Sequence, residues 1–332
     1  MLSRVADAIY WTSRYVERAE NLARFIDVTH NMSLDMPPGS TEQWGALVSA
    51  SGDHEFFEKA YGEPTRDNVV RFLTFDREYP NSILSCVTAA RENARSVRDA
   101  ISSEMWEQLN QFYITVRDAA SAGPLESPDE FFHFVKNSSH LFIGITIASF
   151  SQGEAWHFAR LGRMLERADM TSRILDVKYF TLLPSVQDVG TPIDDLQWSA
   201  VLRSVSGFEM FRKRHHGITP KRVVGFLVLD RQFPRAIMNC IDAANQSLHL
   251  ISGSPEGTFW NLAEKRLGQL RGELAYLTVD EIVHTGLHEF LDALQNKLNE
   301  VGEGIYQTFI TMEPEEHQNG GIAVATQRQE QR

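Results

Sequence analysis

Between Ser3 and His30, Val5, Ile9, Thr12, Val16, Ala19, Leu22, Ala23 and Ile26 fall on one stripe at the 3.6-residue period of an amphipathic helix. Ser3 suits its N-cap. Glu17 lies nearly opposite the centre of that stripe, with Tyr10, Arg14 and Asn21 beside it and Trp11 and Phe25 further round. A second face so rich in aromatic residues predicts a helix contacted from two sides. Beyond it, Met36-Pro37-Pro38-Gly39 reads as a loop and Trp44–Tyr61 as a helix, broken by Gly62-Glu63-Pro64. The apolar stretch Asn68–Asp76 fits a helix better than a strand in these surroundings. Pro80 predicts the first turn of a helix running to about Ile101. Glu104–Ala120 follows. Gly123-Pro124 and Ser127-Pro128 read as a loop, and a helix from Pro128 or Asp129 reaches into 140–150.

The pattern then returns. Arg14, Glu17, Arg18, Ala19, Arg24, Asp27 and Val28 recur as Arg163, Glu166, Arg167, Ala168, Arg173, Asp176 and Val177. Val69, Val70, Phe72, Leu73, Asp76, Arg77, Pro80, Ile83, Cys86, Ala89 and Ala90 recur unchanged between Val223 and Ala244, and Trp44 and Trp106 recur as Trp198 and Trp260. Retained charge is not explained by a shared need for a hydrophobic stripe, so duplication is the simpler account. The expected fold is all-α: two tandem-duplicated helical-bundle units with a pseudo-twofold relation, residues 1–150 and 151–312, separate or interleaved. The polar, Gly- and Gln-rich segment 313–332 reads as a disordered tail.

Composition narrows the function. A hydrophobic share of 42% over 332 residues supports a sizeable core. A net charge of −12 argues against an electrostatic nucleic-acid binder, while leaving room for a local basic pocket. Residues 1–28 carry charges throughout and resemble no secretory signal. The longest apolar run, Leu141–Phe150, falls short of the about 20 residues a bilayer needs. A cytoplasmic protein that binds no membrane is expected. Cys86 and Cys240, each six residues after a proline, read as small buried core residues.

Candidate chemistry centres on the couplets Glu17-Arg18 and Glu166-Arg167. Neighbours on a helix diverge by about 100°, so the two members of a couplet do not pair with each other. Arg14–Glu17, Glu20–Arg24 and Asp169–Arg173 have pairing spacing. The couplets therefore read either as part of a salt-bridged helix face or as a polar site between helices. Arg91-Glu92-Asn93-Ala94-Arg95 with Arg98 forms a second cluster. Its three arginines share a face able to hold a carboxylate or phosphate, whereas the equivalent Ala244-Asn245-Gln246-Ser247-Leu248-His249 lacks them. Together these give a candidate polar or anion site of Arg14, Glu17, Arg18, Arg91, Glu92, Asn93, Arg95, Arg98, Arg163, Glu166 and Arg167. Asp76 and Asp230 suit capping or turn roles. The pairs Glu130/His133, Glu154/His157 and Glu281/His284 have the Glu-x-x-His spacing of bundle metal sites. The extra glutamates such a site needs are not evident, so no metal and no cofactor is expected.

The couplets, with Ser3-Arg4-Val5-Ala6-Asp7, Tyr10-Trp11, Ser139-His140-Leu141-Phe142 and Leu161-Gly162, resemble the alpha-E family over about residues 1–312. That resemblance implies a bacterial peptide synthesis or modification system, with a circularly permuted ATP-grasp ligase and a transglutaminase-like protein as partners. No phosphate-cradling glycine loop or nucleophile elbow is present. The leading expectation is thus an accessory or scaffold protein that binds a peptide, a carboxylate substrate or the ligase. The alternative is an enzyme forming, transferring or cleaving amide bonds, with Glu17 or Glu166 as base and Arg18, Arg91 or Arg167 holding the anion. A third reading is purely structural. An oligomer is compatible with all three.

Overall fold

A computed structural model describes residues 1–35, 44–123, 125, 127–180 and 192–311, and these are helical with no strand among them. The Met36-Pro37-Pro38-Gly39 loop, Pro124 and the segment from Glu313 lie outside the described residues. The helices are α1 (Ser3–Asp35), α2 (Trp44–Ser51), α3 (His54–Tyr61), α4 (Arg66–Phe75), α5 (Ile83–Ser96), α6 (Ser103–Ala122), α7 (Pro128–Ser149), α8 (Glu154–Phe180), α9 (Pro192–Ser204), α10 (Phe208–Arg214), α11 (Pro220–Val224), α12 (Ile237–Ser252), α13 (Leu262–Tyr276), α14 (Val279–Thr285) and α15 (Leu287–Ile305). Short π-helical turns follow α11 and α15, at Gly225–Leu229 and Tyr306–Ile310.

The two longest helices, α1 and α8, pack on each other at the centre. Helices α5 and α7 lie against α1, and α6 covers both; α12 and α15 lie against α8, and α13 covers both. The short helices cross over, since α2 packs on α8 and α9 packs on α1 as well as α8. One continuous apolar cluster runs through this arrangement, from Ile26, Leu47 and Phe72 to Leu165, Phe211 and Leu291. The expectation that α1 is contacted from two sides holds. Its apolar stripe meets α5 and α7, where Thr12 donates to the Ala90 carbonyl at 3.5 Å and Ser139 to that of Val16 at 3.3 Å. Its second face, with Tyr10, Glu17, Asn21 and Phe25 all buried, turns to α8 and beyond. At the crossing, Gly162 of α8 lies so close to α1 that an added Cβ would fall 2.4 Å from the Tyr10 carbonyl oxygen.

Two boundaries differ from the pattern. The helix expected over Trp44–Tyr61 is split at Gly52, whose φ of +82° costs an L-residue more than glycine. The helix expected from Pro80 starts at Ile83, because Ser82 accepts from the Ser85 N–H at 3.1 Å and is the true cap. It also ends at Ser96, short of Ile101. Asp76 holds the intervening turn by accepting from the backbone of Glu78 at 2.8 Å and Tyr79 at 3.2 Å. Asp230 does the same for Gln232 and Phe233. The aspartates thus serve the turn, and α5 has its own cap. Each turn presents a ring to the core: Tyr79 stacks on Phe72 at 4.0 Å and Phe233 on Phe226 at 4.5 Å.

Candidate functional site

Glu17 and Arg18 point away from each other, and both reach α8. Glu17 is 1% exposed and accepts from Arg167 Nε at 2.7 Å and Nη2 at 2.8 Å. Glu166 is fully buried and accepts from Arg18 Nε at 2.5 Å and Nη2 at 3.0 Å. The acid of each helix is therefore gripped by the arginine of the other. This fork-on-carboxylate geometry is among the strongest polar contacts a protein makes. The i, i+3 pair expected between Arg14 and Glu17 is replaced by Arg14 Nε donating to Glu166 at 2.8 Å. Arg14 also lies over the Trp11 ring at 4.8 Å and donates to Tyr10 Oη at 3.1 Å.

A turn further along α1, Glu20 forms a second buried node. Arg235 Nη2 reaches its two carboxylate oxygens at 2.7 and 2.6 Å, and Arg24 Nε donates at 2.6 Å. His140 Nε2 lies 3.0 Å from Glu20 Oε1 and 3.0 Å from Arg24 Nη2. Arg235 Nη1 also donates to Asn21 Oδ1 at 2.8 Å and to Glu17 at 3.3 Å, so it ties the Glu17 and Glu20 nodes together. The expected Glu20–Arg24 and Asp169–Arg173 pairs form, the latter at 2.8 Å. Arg173 continues to the carbonyls of Ala50 at 3.3 Å and Ser51 at 3.2 Å. Arg163, the counterpart of Arg14 in sequence, has no ion-pair partner among the described residues, and its Nε is buried unbonded.

Electrostatics follow the pairing. Burial opposes ionisation of Glu166, but Arg18 and Arg14 outweigh it and hold the carboxyl at about 2. Burial is outweighed likewise at Glu17, chiefly by Arg167, and at Glu20, chiefly by Arg235; both carboxyls sit below the ordinary range. Arg163 is the exception: burial and then the neighbouring Arg167 lower it to about 10. The space beside the couplets is small. A pocket of about 100 Å³ lined by Arg18, Tyr79, Asn81, Asp169 and Arg173 has room for a few waters. Glu17 and Glu166 line neither that pocket nor two larger clefts among the described residues, of about 620 and 740 Å³.

The remaining members of the sequence-derived site lie elsewhere. Arg91 faces α6, donating to Asn110 Oδ1 at 2.8 Å and to Glu92 at 2.6 Å, with the Tyr113 ring 4.8 Å away. Arg95 is exposed and pairs with Glu92 at 2.5 Å. Asn93 is partly buried beside them. Arg98 lies beyond the end of α5, over the Trp106 ring at 4.8 Å, so it does not share the helix face expected for it. This second cluster stays apart from the couplets. The Glu-x-x-His pairs scatter: Glu130 is exposed on the first turn of α7, Glu154 pairs with the N-terminal ammonium at 2.8 Å, and Glu281 closes a capping box with Thr278. Cys86 and Cys240 are free, buried and pushed up to about 12 by burial.

Sequence reasoning missed Arg235 and the place of Glu20 and His140 in the network. Position 235 aligns with Asn81, so an arginine stands where the other stretch has an amide. Asn81 accepts a hydrogen bond from Arg18 Nη1. That charge difference inside the best-preserved block was the signal available.

The sequence profile of the Alpha-E family, described as "a predicted alpha-helical domain with a conserved ER motif", matches residues 1–310. Uncharacterized proteins of Mycobacterium bovis (Mb2597) and Mycobacterium tuberculosis (MT2643, Rv2567) are each 23% identical over 329 residues, which cover 88% of this chain and 36% of the relative. The chain thus spans about a third of the length of the curated relatives it matches. No solved structure is significantly similar to it. Among the described residues, no helix is long and apolar enough to cross a membrane.

Proposed function

The chain belongs to the Alpha-E family, and we propose that it acts as a non-catalytic helical scaffold for a peptide-ligating partner, in a bacterial peptide synthesis or modification system. The partner is a circularly permuted ATP-grasp ligase, with a transglutaminase-like protein in the same system. The observation that carries this reading is the closure of the couplets. Each couplet acid is buried, bound by at least two guanidinium groups and held ionised below the ordinary carboxylate range. A carboxylate so strongly stabilised is a weak proton acceptor near neutral pH. Lining none of the pockets described above, Glu17 or Glu166 is better suited to fastening helices than to general-base catalysis, which disfavours the enzyme alternative.

Two further points support the scaffold reading. The sequence has no ATP-cradling loop, so activation of a carboxylate falls to another unit. In the mycobacterial relatives the matching region occupies 36% of a longer chain, and we take the remainder to hold such a unit. We also read the reciprocal grip of α1 and α8 as the product of duplication: two helical units, about 1–150 and 151–312, related by a pseudo-twofold passing between the couplets. The decisive experiment is co-purification of the chain with the ATP-grasp ligase of the same genome, followed by ligase turnover with and without it. A stable complex with altered turnover is expected. No complex together with unchanged turnover contradicts the proposal, as does amide-bond chemistry by the purified chain alone.

A further inference from the structure

A cleft of about 620 Å³ opens between α1, α7 and α9, within the size range of small-ligand sites. In a chain of net charge −12 its lining is unusual. Arg24, Lys136 and Arg203 face it together with the imidazoles of His133 and His140, and Asp27 is the one acid among the lining residues. The two inner cations are already anchored. Arg24 donates to Glu20 at 2.6 Å and to Ser206 Oγ, and Lys136 donates to Asp27 at 2.7 Å. Glu20 and Asp27 match these two cations, which leaves Arg203 as the cation in excess at the cleft. That excess favours an anionic occupant.

Arg203 differs from both. It is exposed at the mouth and has no carboxylate partner among the described residues. Its guanidinium lies 4.8 Å over the Phe208 ring. Stacking on a ring fixes the plane of an arginine while leaving its N–H edge free for a planar, two-oxygen acceptor. Val28 and the half-exposed Leu196 supply an apolar wall in the same cleft. Asp27, on that cleft, disfavours a doubly charged phosphate more than a single carboxylate.

We propose that the cleft between α1, α7 and α9 binds the C-terminal carboxylate of a short peptide, held by Arg203 at the mouth and by the Arg24–Lys136 floor, with the last side chain against Val28 and Leu196. The choice of a peptide as bearer of the carboxylate rests on the scaffold reading given above; the anion site itself rests on the lining.

The test is calorimetric titration of the full chain with N-acetyl-Ala-Leu, with its C-terminal amide and with inorganic phosphate. The free acid is expected to bind saturably and at least tenfold more tightly than the amide. Arg203→Glu should weaken the acid at least tenfold while leaving the melting temperature of the unliganded chain unchanged, and Leu196→Asp should weaken both peptides. Absence of saturable binding by the acid, equal binding of acid and amide, or an unaffected Arg203→Glu overturns the proposal; phosphate binding more tightly than the acid overturns the carboxylate assignment. Ligase co-purification is scored separately. A chain that binds the dipeptide but not the ligase refutes the scaffold role alone, and one that binds the ligase but not the dipeptide refutes the cleft alone.

Discussion

Glu17 and Glu166 occupy aligned positions, and both are buried and ionised, yet they are held differently. Glu166 is gripped by two arginines of α1, Arg14 and Arg18. Glu17 is gripped by only one arginine of α8, Arg167, and the second comes from Arg235 on the turn before α12. Arg163, in the place corresponding to Arg14, has no ion-pair partner among the described residues, and its Nε is buried unbonded. At the place corresponding to Arg235, the chain has Asn81, bonded to Arg18. The difference teaches that the requirement is for guanidinium around the acid, whichever element delivers it. It also shows why Glu20 can be buried beside Glu17, since Arg235 serves both.

Acid should have the largest effect, because it acts on all three carboxyls together. Glu17, Glu20 and Glu166 have depressed folded-state values, Glu166 falling from 4.5 to about 2. Their contribution is present above the unfolded value near 4.5 and is lost as pH falls through the folded value. Urea midpoints measured between pH 7 and 2 should therefore drop steeply below about 4.5; a flat profile across that window would mean the acids are not paired as described. Next in size is Arg167→Ala, which strips Glu17 of its fork and should cost about 3–5 kcal/mol in denaturant unfolding. Arg18→Ala should cost less, because Arg14 remains on Glu166 at 2.8 Å, whereas the arginine left on Glu17, Arg235, lies at 3.3 Å and is shared with Glu20; equal losses would erase the asymmetry. Arg235→Asn, copying Asn81, should lose about 2–3 kcal/mol by removing charged hydrogen bonds to Glu20 and Glu17. Arg163→Met should leave stability unchanged or raise it by about 1 kcal/mol, since it discards a partly buried charge that has no ion-pair partner among the described residues and keeps the apolar stem. A loss comparable to that of Arg167→Ala would place Arg163 in the network after all.

Much of this arrangement could be read before any coordinates. The stripe from Val5 to Ile26 located α1, and the aromatic residues on its other face indicated a second contact. The recurrence of Glu17-Arg18 as Glu166-Arg167 singled out two acids that prove to be buried and two arginines that prove to be partly buried. The exchange of partners was not legible, because helical geometry says that Glu17 and Arg18 diverge but not which residue each will meet. The same limit explains Arg14, whose spacing to Glu17 suited a local pair until Glu166 offered a buried acid. Arg235 follows Pro234 in a turn, where no periodicity assigns a direction. The Arg91–Arg98 cluster carries a strong local charge that in sequence resembles the couplets, but its partners on α6, Asn110, Trp106 and Tyr113, depend on tertiary packing.

The reciprocal grip is tested most directly by a pair of double-mutant cycles on unfolding free energy. Glu17→Gln with Arg167→Met crosses from α1 to α8, and Glu17→Gln with Arg18→Met stays within one couplet. A coupling energy of about 2–3 kcal/mol is expected for the first, and additivity within about 0.5 kcal/mol for the second. Strong coupling within the couplet and additivity across the helices would contradict the exchange.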